Sequence, residues 1–260
     1  MMSQKSNNPS QLTYKEEFKI HAEDIDFNGR MKFYRLCSYL LEMATIHARK
    51  LNYGFEVMKQ MNHYWVLSRL IVYMNHYPVF DQNIIIETFT KGLNRLFALR
   101  DFFVLDMDNN ILVRAASAWL AIDKITGRPA RPEYITKFHG LHSGRDAIKE
   151  VPGKIHAPDS SCPEASIPVK YSDLDINEHV NAGKYISWIQ DQFTQEHYRN
   201  KQINKFQINY HNETRYGEII ELFFSPDKGT GNNNLVEGKI KSSAEVAFRA
   251  KVEWGEIGDP

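Results

Sequence analysis

Apolar and polar positions along this chain fall into one succession of patterns that occurs twice. Residues 12–22 read as a strand, and a polar loop follows at 24–30. Phe33, Leu36, Leu40, Met43, Ala44, His47 and Leu51 then recur at steps of three and four, which predicts an amphipathic helix with one apolar stripe. Alternating runs predict strands over 64–75, 83–91, 96–106 and 111–123, and Asp108, Asn109 and Asn110 supply turn chemistry between the last two. Glycines and prolines from Gly127 to Pro163 break any period and predict an irregular crossover. The order then resumes. A short strand at 166–171 leads to a polar loop at 173–179 and a second helix with Ala182, Tyr185, Ile186, Ile189 and Phe193 on one face. Strands are predicted over 206–213, 218–225, 235–242 and 245–254.

The two loops match residue by residue. Asp24 aligns with Asp173, Asp26 with Asp175 and Asn28 with Asn177, while Arg30 stands where the second loop has His179. Residues 114–119 parallel 249–254, each from Arg to Trp, and 72–76 parallel 209–213, which sets His76 against Glu213. Two units of strand, helix and several strands predict an α+β fold in which an antiparallel sheet wraps around one helix, twice over. Two such sheets side by side cover each other's edges. The expected division is a disordered tail at 1–11, a first unit at 12–135, a linker at 136–164 and a second unit at 165–258. Only the second unit keeps a titratable imidazole in its loop, so one working site is expected there and substrate binding in the first.

Composition narrows the class of partner. The 260 residues carry 32 basic and 32 acidic side chains, and this balance argues against nucleic acid, which demands a basic excess. No apolar run reaches the ~20 residues of a membrane span, and residues 1–11 lack the apolar stretch of a secretory signal. Two cysteines, Cys37 and Cys162, are too few for a disulfide framework. A cytoplasmic protein is expected. The pair His139 and His142 has no further ligands beside it, so no metal site is expected. Residues 229–234 are glycine- and asparagine-rich but lack phosphate-cradle spacing.

Three segments carry a family likeness: Asp173-Leu-Asp-Ile-Asn-Glu-His-Val-Asn-Ala-Gly-Lys-Tyr-Ile186, Trp65-Val-Leu-Ser-Arg-Leu70 and Arg95-Leu-Phe-Ala-Leu-Arg-Asp-Phe102. In these the chain resembles the acyl-acyl carrier protein thioesterases, and the likeness extends from about Leu12 to Trp254. The resemblance implies a tandem hotdog fold and hydrolysis of a fatty acyl thioester on acyl carrier protein, without metal or organic cofactor. It assigns Asp175, Asn177 and His179 to the catalytic loop and Glu213 to an acidic position on the following strand. Plant members carry a cysteine beside that acid; here the position is Thr214, which makes a papain-like cysteine mechanism doubtful. An acidic carrier protein implies a basic rim, for which Lys184, Arg199, Lys201, Lys205 and Arg215 are candidates. The chain is expected to be a monomer that is itself a pseudo-dimer, or a homodimer.

The residue types suit that chemistry. Imidazole titrates near neutral pH, and His179 can take a proton from water and return it on the leaving-group side. Asp175 can orient His179 or assist water, although acids before helices are often plain caps. Asn177 and the first N–H groups of the following helix can donate to a developing oxyanion. Glu213 can activate water or fix the imidazole tautomer, against the plainer reading of an outward-facing strand carboxylate. Asp173 is expected to serve the turn. The sequence leaves open which of Asp175, His179 and Glu213 is the general base, and whether a carboxylate anhydride forms. Acyl-coenzyme A hydrolysis, an acyl-thioester hydratase and a non-catalytic acyl-binding module are the competing readings.

Overall fold

The computed structural model describes residues 12–131, 142–227 and 232–257. The tail expected at 1–11 lies outside the described residues, as do 132–141 of the crossover and 228–231 of the glycine-rich loop.

In the first half, β1 (Thr13–Lys19) is followed by a 3-10 turn, then α1 (Phe33–Lys50), α2 (Phe55–Gln60), β2 (His63–Met74), β3 (Asn83–Asn94), β4 (Phe97–Leu105), β5 (Ile111–Asp123) and the two-residue β6 (Pro129–Ala130). In the second half, β7 (Ala165–Pro168) and a 3-10 turn precede α3 (Ala182–Gln190), α4 (Gln195–Asn200), β8 (Lys201–Tyr210), β9 (Ile219–Pro226), β10 (Asn233–Ile240) and β11 (Val246–Glu256). The strands form one antiparallel sheet in the order β1-β3-β4-β5-β2-β8-β11-β10-β9-β7, with β6 on β5. That order reads the same from either end once each strand is replaced by its repeat counterpart. The halves join through β2 and β8, where Ile71 pairs with Gln207 at the centre of the ladder. The edge strand of each half, β2 or β8, thus covers the open edge of the other, as two sheets side by side require.

The helices lie on one face of the sheet because their stripes demand it. Phe33, Leu36, Cys37, Leu40, Met43, Ala44 and His47 are the buried positions of α1, spaced to occupy one side of a 3.6-residue helix. His47, Arg49 and Lys50 end the helix and oppose its negative C-terminal pole. The shorter α3 starts on Asn181, whose side chain accepts the Gly183 N–H at 2.9 Å. It buries Tyr185, Ile186, Trp188 and Ile189. A Cβ on Gly183 would stand 2.9 Å from Ser38 Oγ, so glycine here lets α3 approach α1 closely. Phe193, expected on this helix, lies beyond its end.

The crossover straps the opposite face of the sheet. Arg145 forms a two-pronged pair with Glu87 at 2.7 and 2.9 Å, and Asp101 accepts the N–H groups of Ala147 and Ile148. Farther along, Arg69 donates to Pro152 O, while Asn209 accepts from Ile155 N and donates to Gly153 O. These bonds give buried polar strand residues their partners. Burial alone would raise the Glu87 carboxyl, but Arg145 and Lys15 hold it below its ordinary value. Burial dominates at Asp101 and lifts it to about 6 despite Lys91.

Candidate active site

The loop of the second half is built by its own side chains. Asp175 Oδ1 accepts the Asn177 N–H at 2.8 Å and, more weakly, the His179 N–H at 3.4 Å. The Asp175 N–H in turn donates to His179 O at 2.7 Å, closing the loop. The residue in the left-handed region is Glu178 (φ 63°), at the position where the first loop has Gly29 (φ 73°). Asp173 serves the turn, as expected: it is buried and its carboxylate accepts the Lys170 N–H at 2.8 Å. The helix-start donors expected to face an oxyanion are otherwise engaged. The N–H groups of Val180, Asn181, Gly183 and Lys184 donate to Thr214 O, Asp173 O, Asn181 Oδ1 and Asn181 O, respectively.

A backbone bridge between His179 and Arg215 brings the loop against the segment after β8. There His179 Nε2 stands 3.2 Å from Glu213 Oε2. Glu213 was expected on a strand; β8 ends at Tyr210, and Glu213 lies three residues beyond it. Release from the ladder is what allows its carboxylate to turn toward the imidazole. Asp175, Asn177, His179 and Glu213 all line one cavity of about 740 Å³. The Asn177 carboxamide makes no hydrogen bond to the described residues. The opposite wall is the first half: Leu41, Ala44 and Ala48 of α1, Phe55 and Met58 of α2, and Trp65 and Trp119 of the sheet. Arg100 lines the same cavity and is buried; it bonds His47 Nδ1 at 2.7 Å and Thr88 Oγ1 at 3.1 Å. Burial depresses this guanidinium to about 10.

The first loop has the same backbone and different chemistry. Asp26 Oδ1 accepts the N–H groups of Asn28 and Arg30 at 2.8 and 3.1 Å. Val79 bridges Arg30 as Arg215 bridges His179, and Pro78 O accepts Met31 N as Thr214 O accepts Val180 N. The counterpart of Glu213 is therefore Tyr77, and the sequence alignment that set His76 against Glu213 is corrected by one residue. In place of an imidazole–carboxylate pair, the Arg30 guanidinium lies over the Tyr77 ring, 5.4 Å from its centre. Arg30 and Asn28 also donate to Tyr198 O, at 3.2 and 2.9 Å. The cavity beside them measures about 320 Å³. Trp254, the repeat counterpart of the cavity-lining Trp119, is packed edge-on by Phe193 and His197, with ring centres at 4.7 and 4.3 Å. Aromatic rings thus fill on one side the space that is open on the other.

Neither cysteine serves the site. Cys37 is buried in α1, where burial pushes its thiol well up, and Cys162 is exposed on the crossover. Thr214 is fully buried. The expected basic rim divides. Lys184 and Arg215 adjoin the loop, and Lys184 pairs with Asp173 at 3.3 Å. Arg199 lies over Phe27 of the first loop, Lys201 pairs with Glu256 and Lys205 with Glu253. Apolar side chains stand out instead on and near the loop: Ile176 is 80% exposed and Tyr216 68%. No group of His, Cys, Asp and Glu among the described residues has the form of a metal site. No helix among them is long and apolar enough to cross a membrane.

Residues 11–137 match the acyl-ACP thioesterase N-terminal domain and residues 156–256 the acyl-ACP thioesterase C-terminal domain. This chain belongs to the acyl-ACP thioesterase family. It is 26% identical to the chloroplastic palmitoyl-acyl carrier protein thioesterase of Gossypium hirsutum, over 94% of this chain and 64% of that protein. It is 22% identical to the chloroplastic oleoyl-acyl carrier protein thioesterase of Coriandrum sativum, over 83% and 63%. The chain spans somewhat under two thirds of the length of these two curated relatives. A crystal structure of an acyl-ACP thioesterase from Bacteroides thetaiotaomicron VPI-5482 is 32% identical, with a TM-score of 0.86 over 95% of this chain and 100% of that one. The 12:0-ACP thioesterase from Umbellularia californica shares the fold at 19% identity, with a TM-score of 0.84. The architecture is the tandem hotdog of an acyl-ACP thioesterase.

Proposed function

We propose that this chain hydrolyses the thioester of fatty acyl-acyl carrier protein and releases free fatty acid. One observation carries the reading: an imidazole 3.2 Å from a carboxylate, His179 with Glu213, in the wall of a cavity of about 740 Å³ whose far side is apolar. The acyl chain lies between α1, α2 and the first half's sheet, with its thioester carbonyl at His179. Glu213 holds the ring through Nε2, which leaves Nδ1 as the basic nitrogen to receive a proton from water. The water oxygen bonds to the carbonyl carbon, and Asn177 donates its amide to the resulting oxyanion, a contact typically worth ~2.7–4 kcal/mol. The carbon–sulfur bond then breaks, and the proton passes from the imidazolium to the departing thiolate. Asp175, whose Oδ1 is occupied by backbone N–H groups, fixes the loop that carries Asn177 and His179.

The carrier protein docks at the loop, where exposed Ile176 and Tyr216 stand beside Arg215. Both walls of the cavity belong to one chain, so a monomer is a complete catalytic unit, at work in the cytoplasm. The test is thiol release from a series of saturated acyl chains on carrier protein, repeated on coenzyme A. Each buried methylene gains ~0.8 kcal/mol, so kcat/KM is expected to climb with chain length until the cavity is full, and to be higher on the carrier. Failure of every chain in the series to release thiol would contradict hydrolysis; equal rates on coenzyme A would contradict the carrier as partner.

A further inference from the structure

We propose that the Arg100 guanidinium forms an oxygen subsite in the acyl cavity and selects acyl chains that carry an acceptor oxygen, as hydroxyl or carboxylate, near the tail. The inference rests on the hydrolytic reading above and names the substrate class that this cavity favours. Arg100 belongs to β4, lines the cavity and is 7% exposed. A guanidinium has five N–H donors. Here Nη1 donates to His47 Nδ1 at 2.7 Å and to Thr88 Oγ1 at 3.1 Å. Thr88 gives its own proton to Asp101 O at 3.2 Å, and Ser117 Oγ donates to Arg100 O, so the polar groups around the guanidinium are engaged with one another. Nε and Nη2 have no hydrogen-bond partner among the described residues, and no carboxylate among them forms an ion pair with Arg100. Burial alone acts on its titration, so it stays cationic up to about 10. A charge held out of water is costly unless it is paired and hydrogen-bonded. An oxygen on the ligand supplies that partner, and Nε with Nη2 forms the fork that matches a carboxylate. A methyl group at the same place leaves the donors bare.

The position suits the tail of a chain and not its thioester. Gly183, just past the catalytic loop, packs against Ser38 of α1. His47, which holds Arg100, comes nine residues after Ser38 on that helix, ~13 Å farther along its axis at the usual rise. Leu41 and Ala44 line the cavity between the two levels. The pseudo-dyad supplies an independent comparison. Arg100 pairs with Ser117 of β5, and the corresponding pair in the second half is Asn234 with Val252. Asn234 Oδ1 accepts Trp254 Nε1 at 2.9 Å, whereas Trp119 Nε1 turns to Ser117 Oγ at 2.9 Å. The filled half thus has a neutral amide engaged by its tryptophan, and the open half has a cation whose donors face the cavity.

The test is thiol release from carrier-bound chains of one length that are plain, hydroxylated at successive carbons, or ended by a carboxylate. Hydrogen bonds to charged groups contribute more than neutral ones, so kcat/KM is expected to be ~10-fold higher with oxygen near the tail than on the plain chain. The gain should vanish as the hydroxyl moves toward the thioester. A gain with either oxygen supports the subsite, and the larger of the two identifies the ligand. Arg100→Met keeps an unbranched stem and removes the donors; it is expected to reverse the order, so that the plain chain becomes the better substrate. The comparison along the chain is made on wild-type protein and decides the matter even where the variant does not fold. Wild-type preference for the plain chain wherever the oxygen stands would overturn the proposal. So would a preference for oxygen that survives in folded Arg100→Met. Wild-type protein inactive on every acyl thioester would overturn the hydrolytic reading as well, whereas activity with no gain from oxygen overturns only the role of Arg100.

Discussion

Two of the exchanges between the second loop region and its copy bear on proton transfer. His179 and Glu213 can pass a proton; Arg30 and Tyr77 cannot, because a guanidinium stays charged and this phenol is half-buried with its hydroxyl donating to Ile203 O at 3.0 Å. The thiols stand outside this chemistry. Alkylation of Cys162, or its replacement by serine, is expected to leave kcat on acyl carrier protein unchanged within ~2-fold, since an exposed thiol remote from the cavity gives the reaction no nucleophile. A tenfold loss would restore a cysteine mechanism. His179 stood out in the sequence because it is the one imidazole in the repeated loop, at the position where the copy has Arg30. Tyr77 was not, since a one-residue slip between 72–76 and 209–213 keeps equally good matches, and only the bonds from Met31 and Val180 fix the register.

The elements reflect the same division between local and distant information. The stripe of α1 is eighteen residues long and declares its period. The six-residue helices α2 and α4 are too short for a period to register, although Thr194, which caps α4 by accepting the His197 N–H at 3.2 Å, is a readable start signal. The crossover showed no pattern because its order comes from bonds to the sheet, Arg145 to Glu87 and backbone N–H groups to Asp101 and Asn209, and not from a period of its own. Within the sheet, β10 shifts register at Gly238, opposite Phe248. A Cβ there would collide with the Phe248 ring, which is fully buried and packs on Tyr185 at 5.2 Å. Gly238→Ala is therefore expected to lower the unfolding free energy in urea by ~1–3 kcal/mol, the usual range for overpacking. An unchanged midpoint would show that β10 and β11 can part without cost.

At the scale of the whole molecule, one fold is used twice and one half of it has been closed. The duplication was legible from two loops and two Arg-to-Trp runs. The closure was not, because Trp119 and Trp254 look alike in sequence and meet opposite fates. The reason is helix length: α1 runs eighteen residues and leaves Trp119 facing a cavity, whereas α3 stops after nine and lets Phe193 and His197 fold over Trp254. Each half then holds one part of a single cavity, with the apolar wall in the first and the imidazole–carboxylate pair in the second. The sharpest test compares kcat/KM on acyl carrier protein for His179→Ala and Arg30→Ala, the same position in the two copies. A loss of at least ~100-fold for His179→Ala, with Arg30→Ala much nearer the wild type, is the expected result. Equal losses in the two variants would contradict the assignment of the working site to the second half.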